Sequence, residues 1–414
     1  MIGPQGARSR SVLISGARIA GPALAYWLDR YGFDVTVVER ADTIRRGGYP
    51  IDVRGSAIDV VERMGVLPQL RSAHIHTRKL TFLDADGDPI AVIVPEQLAG
   101  GVTGRHIELP RGDLASVFYD LMRDREIRYR FNESIDALHD DGAGVDVRFR
   151  SGRKQRFDLV IGADGLHSNT RALVFGPEPP FNRYLGFCFN LFSLPNDLGL
   201  SHEAVLYAEP GRAAGMYAVG DSDTVLAFLN FATDQPPFHS HTDADAQRRR
   251  TADIFSDGGW QVPRLVAAML RADDLYFDTV SQIHMPRWSS GRVALAGDAA
   301  HAPSFLSGQA TSLALVGAYV LAGELAAHAD PVDAFASYER MARPFMAANQ
   351  ALALSKGGSL LMPRTQQDLD ARNAALAAIQ ASGKAPPRAE QSNQVHNSRR
   401  LPDCSRWLHE EHRM

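Results

Sequence analysis

Ser11-Val12-Leu13-Ile14-Ser15-Gly16-Ala17-Arg18-Ile19-Ala20-Gly21 is the stretch that decides the fold. Its first five residues form a short apolar run that reads as a buried strand ending at Gly16. From Ala20 to Tyr31 the apolar residues fall at helical spacing through Leu24, Trp27 and Leu28, and Asp34 to Val38 reads as a second buried strand. Strand, glycine turn, helix and strand in that order make a βαβ unit, because parallel strands need a crossover connection. Gly16 makes the tight turn, Gly21 lets the helix pack on the strand, and the helix N-terminus at Ala20 faces a diphosphate. Glu39, closing the second strand, is placed to accept from ribose hydroxyls, with Arg40 beside it. The middle glycine of this G-x-G-x-x-G fingerprint is Arg18, whose side chain either crowds the loop where backbone should lie against the diphosphate, the favoured reading, or reaches the diphosphate with its guanidinium.

The bulk composition is that of an ordinary globular protein. The 414 residues are 45% apolar and 22% charged, enough for a sizeable core in two packed domains. A net charge of -4 with no basic cluster argues against a nucleic-acid partner. Cys188 and Cys404 stand in no metal-ligand or redox spacing, so no metal site is expected. Met1 to Arg10 has no apolar core and reads as a disordered leader, and Ser312 to Ala327 is too short and carries Glu324, so a packed helix is expected and no membrane partner. A soluble, cytoplasmic protein is the expectation.

Further along, Ser56 to Met64 and Gly112 to Arg123 read as helices, and Lys79 to Asp84, Gly144 to Arg150 and Phe157 to Ile161 as strands. Between Gly186 and Phe231 the pattern changes to alternating strands, which suggests an inserted antiparallel sheet. Pro236 to Asp245 reads as a loop, and Ala246 to Phe255 and Val262 to Arg271 as helices. Arg292 to Ala296 is one more buried strand, and a long apolar helix starts at Gln309. Its strand ends at Gly297-Asp298, which delivers a carboxylate at the carboxyl end of the sheet, where ligands of open α/β folds bind. The helix then offers free N–H groups and its positive dipole end to an anionic ring edge. Beyond Pro363 an alanine-rich helix at Asp368 to Ala381 precedes a polar tail expected to be loosely ordered.

Two more motifs accompany the fingerprint. One runs from Asp158 through Asp164-Gly165 and Ser168 to Arg171, the other from Gly291 through Gly297-Asp298, His301, Pro303 and Gly308-Gln309 to Ala310. With Arg111 in Leu-Pro-Arg-Gly-Asp-Leu, these stand in the order of the class A flavoprotein monooxygenases, the para-hydroxybenzoate-hydroxylase-like family that includes tetracycline-inactivating and polyketide-tailoring enzymes. The chain resembles that family over roughly Ser11 to Pro344. The resemblance implies that Asp164 and Gly165 lie by the nucleotide and serve both FAD and NAD(P)H. It implies that Asp298 binds the ribityl chain, that the loop through Pro303, Gly308, Gln309 and Ala310 cradles the isoalloxazine, and that Arg111 stands near the FAD ribose and phosphates. Where the family has glycine this chain has Ala310, whose methyl would press on the ring or shift the loop.

The implied fold is α/β: a Rossmann-like FAD-binding domain from residues 11–180 and 280–345, an inserted antiparallel-sheet substrate domain at 181–279, and C-terminal helices with a polar tail at 346–414. The implied activity is NAD(P)H-driven monooxygenation of a small aromatic or polyketide-like molecule, in which oxygen adds to the flavin at C4a and one atom is transferred. No catalytic acid–base residue is visible, and none is needed when the cofactor makes the bonds. Phe189, Tyr207, Met216, Phe228 and Phe305 are the candidate substrate contacts, though aromatic residues at strand spacing also build cores. His301 reads as structural, and Arg54 as either a flavin or substrate contact or a surface ion pair. Two alternatives stand beside this reading. The departures at Arg18 and Ala310 allow a repurposed scaffold that binds FAD weakly and acts as a non-oxidative enzyme or a binding protein, and a flavin dehydrogenase or halogenase shares the fold, although no W-x-W-x-I motif is present.

Overall fold

Val12, Leu13 and Ile14 are fully buried, and this strand, Ser11–Ser15, is central in a six-stranded sheet. The computed structural model describes residues 9–44, 48–99, 105–236, 243–354 and 360–408. Most of the expected leader and of the loop from Pro236 lies outside them. The strand order is Ser289–Ser290, Val293–Leu295, Leu159–Gly162, Ser11–Ser15, Asp34–Val38, Arg128–Arg130, with only the first pair antiparallel. Parallel pairing points five of these strands the same way, all but Ser289–Ser290. The carboxyl ends of Ser11–Ser15, Asp34–Val38, Leu159–Gly162 and Val293–Leu295 therefore deliver Gly16, Glu39, Ala163 to Gly165, and Gly297-Asp298 to one edge of the sheet.

Two helices cover that sheet from one side. Ala20–Arg30 buries Leu24, Trp27 and Leu28, and Ala310–Ala327 buries Leu313, Val316, Val320 and Leu321 in the same core. The Trp27 and Tyr319 rings meet edge to face, 4.9 Å between centroids. Ala310–Ala327 has the length and hydropathy of a membrane span, but 83% of it is buried inside the protein, as expected of a packed helix.

The second large element is a seven-stranded sheet in the order Tyr276–Ile283, Asn182–Pro195, Thr224–Ala232, Arg212–Tyr217, Glu203–Glu209, Lys79–Leu83, Pro89–Ile93. It is not confined to residues 181–279. Lys79–Leu83 pairs in parallel with Glu203–Glu209 and brings Pro89–Ile93 with it, and Tyr276–Ile283 runs past residue 279. A hairpin excursion from the first domain thus extends the sheet, which sequence order alone does not show. One face of the sheet packs under Ala244–Ile254 and Val262–Arg271 through Phe192, Tyr207, Met216, Leu229 and Phe231. The other face looks toward the first domain.

The polar C-terminal segment is more ordered than its composition suggests. Gln366–Ser382 has a capping box at Thr365 and Asp368 and packs Leu376 on Phe82, Ala91 and Ile93. A second helix, Pro387–His396, follows, and the His396 and Arg399 carbonyls accept from Ser56 Oγ at 3.2 and 2.7 Å. Cys404 is buried in the main core. These contacts anchor the segment expected to be loose.

Candidate active site

The two fingerprint glycines are required by contact. Gly16 has φ +107°, and a Cβ there would lie 2.4 Å from the Ala163 carbonyl oxygen. At Gly21 a Cβ would lie 1.9 Å from the Gly16 carbonyl oxygen, so the helix can sit this close to the strand only without a side chain. The turn is tied to both neighbours: Gly16 N–H donates to the Val38 carbonyl at 2.8 Å, and the Glu39 carboxylate accepts from Ala17 N–H at 2.9 Å and Ala41 N–H at 3.0 Å. Neither glycine lines open space; they set the path of the loop.

Above this turn runs a trench of two connected chambers, about 700 and 400 Å³. Glu39, Arg40, Thr43 and Ile44 line the larger one. Ala20, Gly165, Asp298, Pro303, Gly308, Gln309 and Ala310 line the smaller. Arg18, Ile19, Tyr49, Arg111 and Tyr276 border both, at the neck between them. All three sequence motifs and the sequence's single Leu-Pro-Arg element therefore converge on these adjoining chambers.

The electrostatics of the neck are unusual. Arg18 stands exposed to the trench, and its proton affinity is lowered first by the facing Arg111 charge and then by burial. Burial also opposes the Arg111 charge, but Tyr49, Tyr276, Asp298 and Glu39 outweigh it and raise its affinity. Burial pushes the Asp298 carboxyl up from its usual range, against the pull of Arg111 and Arg18.

At the far end the loop before the Ala310–Ala327 helix is held in a strained shape. Ser304 has φ +76° and ψ 151°, a region that side chains rarely enter, and Gly308 is left-handed at φ +63°. Gln282 Nε2 donates to the Pro303 carbonyl at 3.0 Å, which fixes the loop from below. Gln309 is 1% exposed, lines the smaller chamber, and neither its amide oxygen nor its nitrogen has a partner among the described residues. A buried amide left so costs about 1–3 kcal/mol unless a ligand meets it. Over this loop the rings of Phe189 and Phe305 lie 5.1 Å apart, Phe189 and Tyr276 5.6 Å, and Tyr49 and Tyr276 6.3 Å.

Besides Gly16 and Gly21, four sequence-expected contacts do not line the trench. Asp164 is not among its lining residues: its carboxylate accepts from Ser168 Oγ at 2.5 Å and from the Thr170 N–H and hydroxyl, both at 2.9 Å. It shapes the turn that presents Gly165. Tyr207 and Met216 face the opposite side of the seven-stranded sheet, where they are 2% and 1% exposed beneath the helices. Side chains alternate across a strand, and the apolar run did not reveal which parity faced inward. Phe228 is on the trench side but not in its wall; it packs over Gly215. His301 is buried against Trp288, with a pKa lowered to about 3 by burial, and is structural. Arg54 pairs with Asp52 at 2.9 Å. The residues that sequence reasoning missed are Tyr49, Tyr276, Asp278, Asp52 and Ser304. Tyr276 and Asp278 stand on one strand face, a period-two signal at the edge of the expected insertion.

A dinucleotide trench that ends in an unpartnered amide and an aromatic wall defines an FAD-binding oxidoreductase, and the residues present suit that cofactor. Residues 9–353 match the FAD binding domain family. The chain is 38% identical over 369 residues to a flavin-dependent monooxygenase of an unknown prokaryotic organism, covering 88% of this chain and 94% of that one. It is 43% identical over 345 residues to an uncharacterised protein of Mycobacterium tuberculosis, covering 83% and 92%. Among solved structures, tetracycline destructase Tet(51) superposes with a TM-score of 0.82 at 32% identity, covering 96% of this chain and all of that one. The chain belongs to the class A flavin-dependent monooxygenases, and it is an FAD enzyme of the oxidoreductase class.

Proposed function

We propose that this monooxygenase uses NAD(P)H and O₂ to hydroxylate a small aromatic or polyketide-like molecule in the chamber walled by Phe189, Tyr276 and Phe305. The observation that carries the reading is the unpartnered Gln309 amide at the end of a trench that Glu39 begins. In this reading Glu39 and Arg40 hold the adenosine end of FAD, Gly16, Ala20 and Gly21 shape the loop under its diphosphate, and Asp298 accepts from the ribityl hydroxyls. Gly165, Pro303, Gly308, Gln309 and Ala310 surround the ring. When bound, the flavin would supply the redox chemistry, hydride acceptance from NAD(P)H and activation of O₂.

The chain's own residues then orient the acceptor and keep water out. The free N–H groups at the start of the Ala310–Ala327 helix favour negative charge on the ring edge. Phe189, Phe305 and Tyr276 offer apolar faces to a flat substrate and cover the reacting zone. Asp278 lines the chamber and accepts from Tyr276 Oη at 2.8 Å, so a substrate hydroxyl would meet a fixed acceptor there. A fused-ring phenolic acceptor suits this mixture, and a solved relative is named for the destruction of tetracycline. The test is NAD(P)H oxidation by the FAD-loaded protein with and without a tetracycline and simple phenols. Acceleration by at least one of them with an oxygenated product supports the reading, and NAD(P)H oxidation that yields only hydrogen peroxide with every acceptor contradicts it.

A further inference from the structure

We propose that Arg18 and Arg111 form a two-arginine clamp on the diphosphate of the bound dinucleotide, so that the residue breaking the fingerprint strengthens cofactor binding. The proposal rests on the FAD reading above. Of the two readings that the sequence allows at Arg18 it takes diphosphate pairing over crowding, on four observations of the structure.

The first is backbone conformation. Arg18 is absent from the non-glycine residues with positive φ, so a side chain here causes no left-handed strain. Glycine at this position would serve only close approach. Second, the side chain does not fold away: Arg18 and Arg111 both border the two chambers, as does Ile19, the residue before the Ala20–Arg30 helix. That helix has no acidic residue in its first turn and no side-chain cap, so its leading N–H groups face the same place.

Third, neither guanidinium has a carboxylate. Among the described residues no ion pair or side-chain hydrogen bond is formed by Arg18 or Arg111; Arg111 only overlies the Tyr49 ring at 5.5 Å. Elsewhere the chain pairs such groups readily, as Arg54 with Asp52 and Arg171 with Glu178. Glu39, whose charge acts on both, already accepts from Ala17 and Ala41 N–H. Two like charges held face to face without an anion repel each other, and the depressed proton affinity of Arg18 reflects that. Fourth, the charges match. A diphosphate diester brings two negative charges to the neck, and planar guanidinium forks bind phosphate oxygens in bidentate fashion.

The clamp makes a prediction with opposite signs in the two states of the protein. Without FAD, Arg18→Ala removes repulsion; with FAD, it removes an attraction. The experiment compares parent, Arg18→Ala, Arg18→Lys and Arg18→Gly by FAD titration of the apoprotein, followed by flavin fluorescence at low and high salt, and by thermal melting with and without FAD. The clamp requires Arg18→Ala and Arg18→Gly to weaken FAD binding by about ten- to hundredfold, with a flatter salt dependence and partial rescue by lysine. It also requires the Arg18→Ala apoprotein to melt no lower than the parent apoprotein while gaining less from FAD. Equal or tighter binding by Arg18→Ala or Arg18→Gly overturns the clamp in favour of crowding. Failure of the parent itself to take up FAD would overturn the functional reading, a distinct result.

Discussion

The two ends of the trench are built by different means. At the dinucleotide end the constraints are on the backbone: Gly16 and Gly21 are fixed by approaches of 2.4 and 1.9 Å that no side chain can share. At the substrate end they are on side-chain direction: Phe189 and Tyr276 point into the chamber while Tyr207 and Met216, in the same sheet, point away. A backbone constraint writes itself into sequence as a glycine at a set spacing. A direction constraint leaves only strand parity, and several aromatic residues satisfy either parity.

The largest effect expected from this contrast is at Gly21. Gly21→Ala should cost more than about 4 kcal/mol, because the added methyl meets the Gly16 backbone carbonyl and cannot be relieved by a rotamer change. Loss of soluble protein or a collapse of the denaturation midpoint checks it, and a variant of parental stability would show that the helix can retreat from the strand.

Next comes a pair that separates the two faces of the sheet. Met216→Ala should lower stability by about 2–5 kcal/mol and leave the coupling of NAD(P)H oxidation to product unchanged, since Met216 is 1% exposed on the helix-packed face. Phe189→Ala should do the converse, costing little stability and lowering coupling several-fold. Denaturant titration and product-to-NAD(P)H ratios on both variants decide it, and a coupling defect in Met216→Ala would break the assignment of faces.

Asp298 tests the middle of the trench. Asp298→Ala should reduce FAD affinity by about tenfold, the scale of one charge-assisted hydrogen bond, measured as flavin retained after gel filtration. Retention equal to the parent would place the ribityl chain elsewhere.

The smallest effect concerns His167, behind the chamber wall. Burial opposes its charge, but hydrogen bonds and charges from Asp278 and Glu178, at 3.1 and 3.0 Å, raise its pKa to about 9. The folded pKa lies above the ordinary value of 6.5, so the stabilisation is complete below that pH and is lost as pH rises through about 9. The parent should therefore lose about 1 kcal/mol more than His167→Gln between those limits, a modest figure because the side chain is 32% exposed. Parallel pH profiles for the two proteins would show that the pair is not charged as described.

Much of this molecule was legible beforehand for the same reason that its two ends differ. The βαβ unit, Glu39, Arg111 and the Gly297-Asp298 strand end are each marked by residue types that only a few geometries need, and all reach one sheet edge. Asp164 was visible as a motif, yet its carboxylate serves Ser168 and Thr170, because a motif marks a position and not the direction of its side chain. The strands at Lys79–Leu83 and Pro89–Ile93 join a sheet more than one hundred residues away in sequence through Val205 and Leu206 pairing, which no local pattern encodes. Polar composition also hid the order of Pro387–His396, which comes from carbonyl contacts with Ser56. At Arg18 the sequence favours crowding over diphosphate pairing, because the loop's dihedrals and the charge of Arg111 beside it belong to the folded chain.

The central claim, that the trench holds a redox-active FAD, is tested most directly by the visible spectrum of the FAD-loaded protein before and after NAD(P)H is added without oxygen, and again after air is admitted. The account predicts a protein-bound oxidised-flavin spectrum that NADH or NADPH bleaches and air restores. A protein that takes up no FAD, or one whose bound FAD neither nucleotide can bleach, would contradict it.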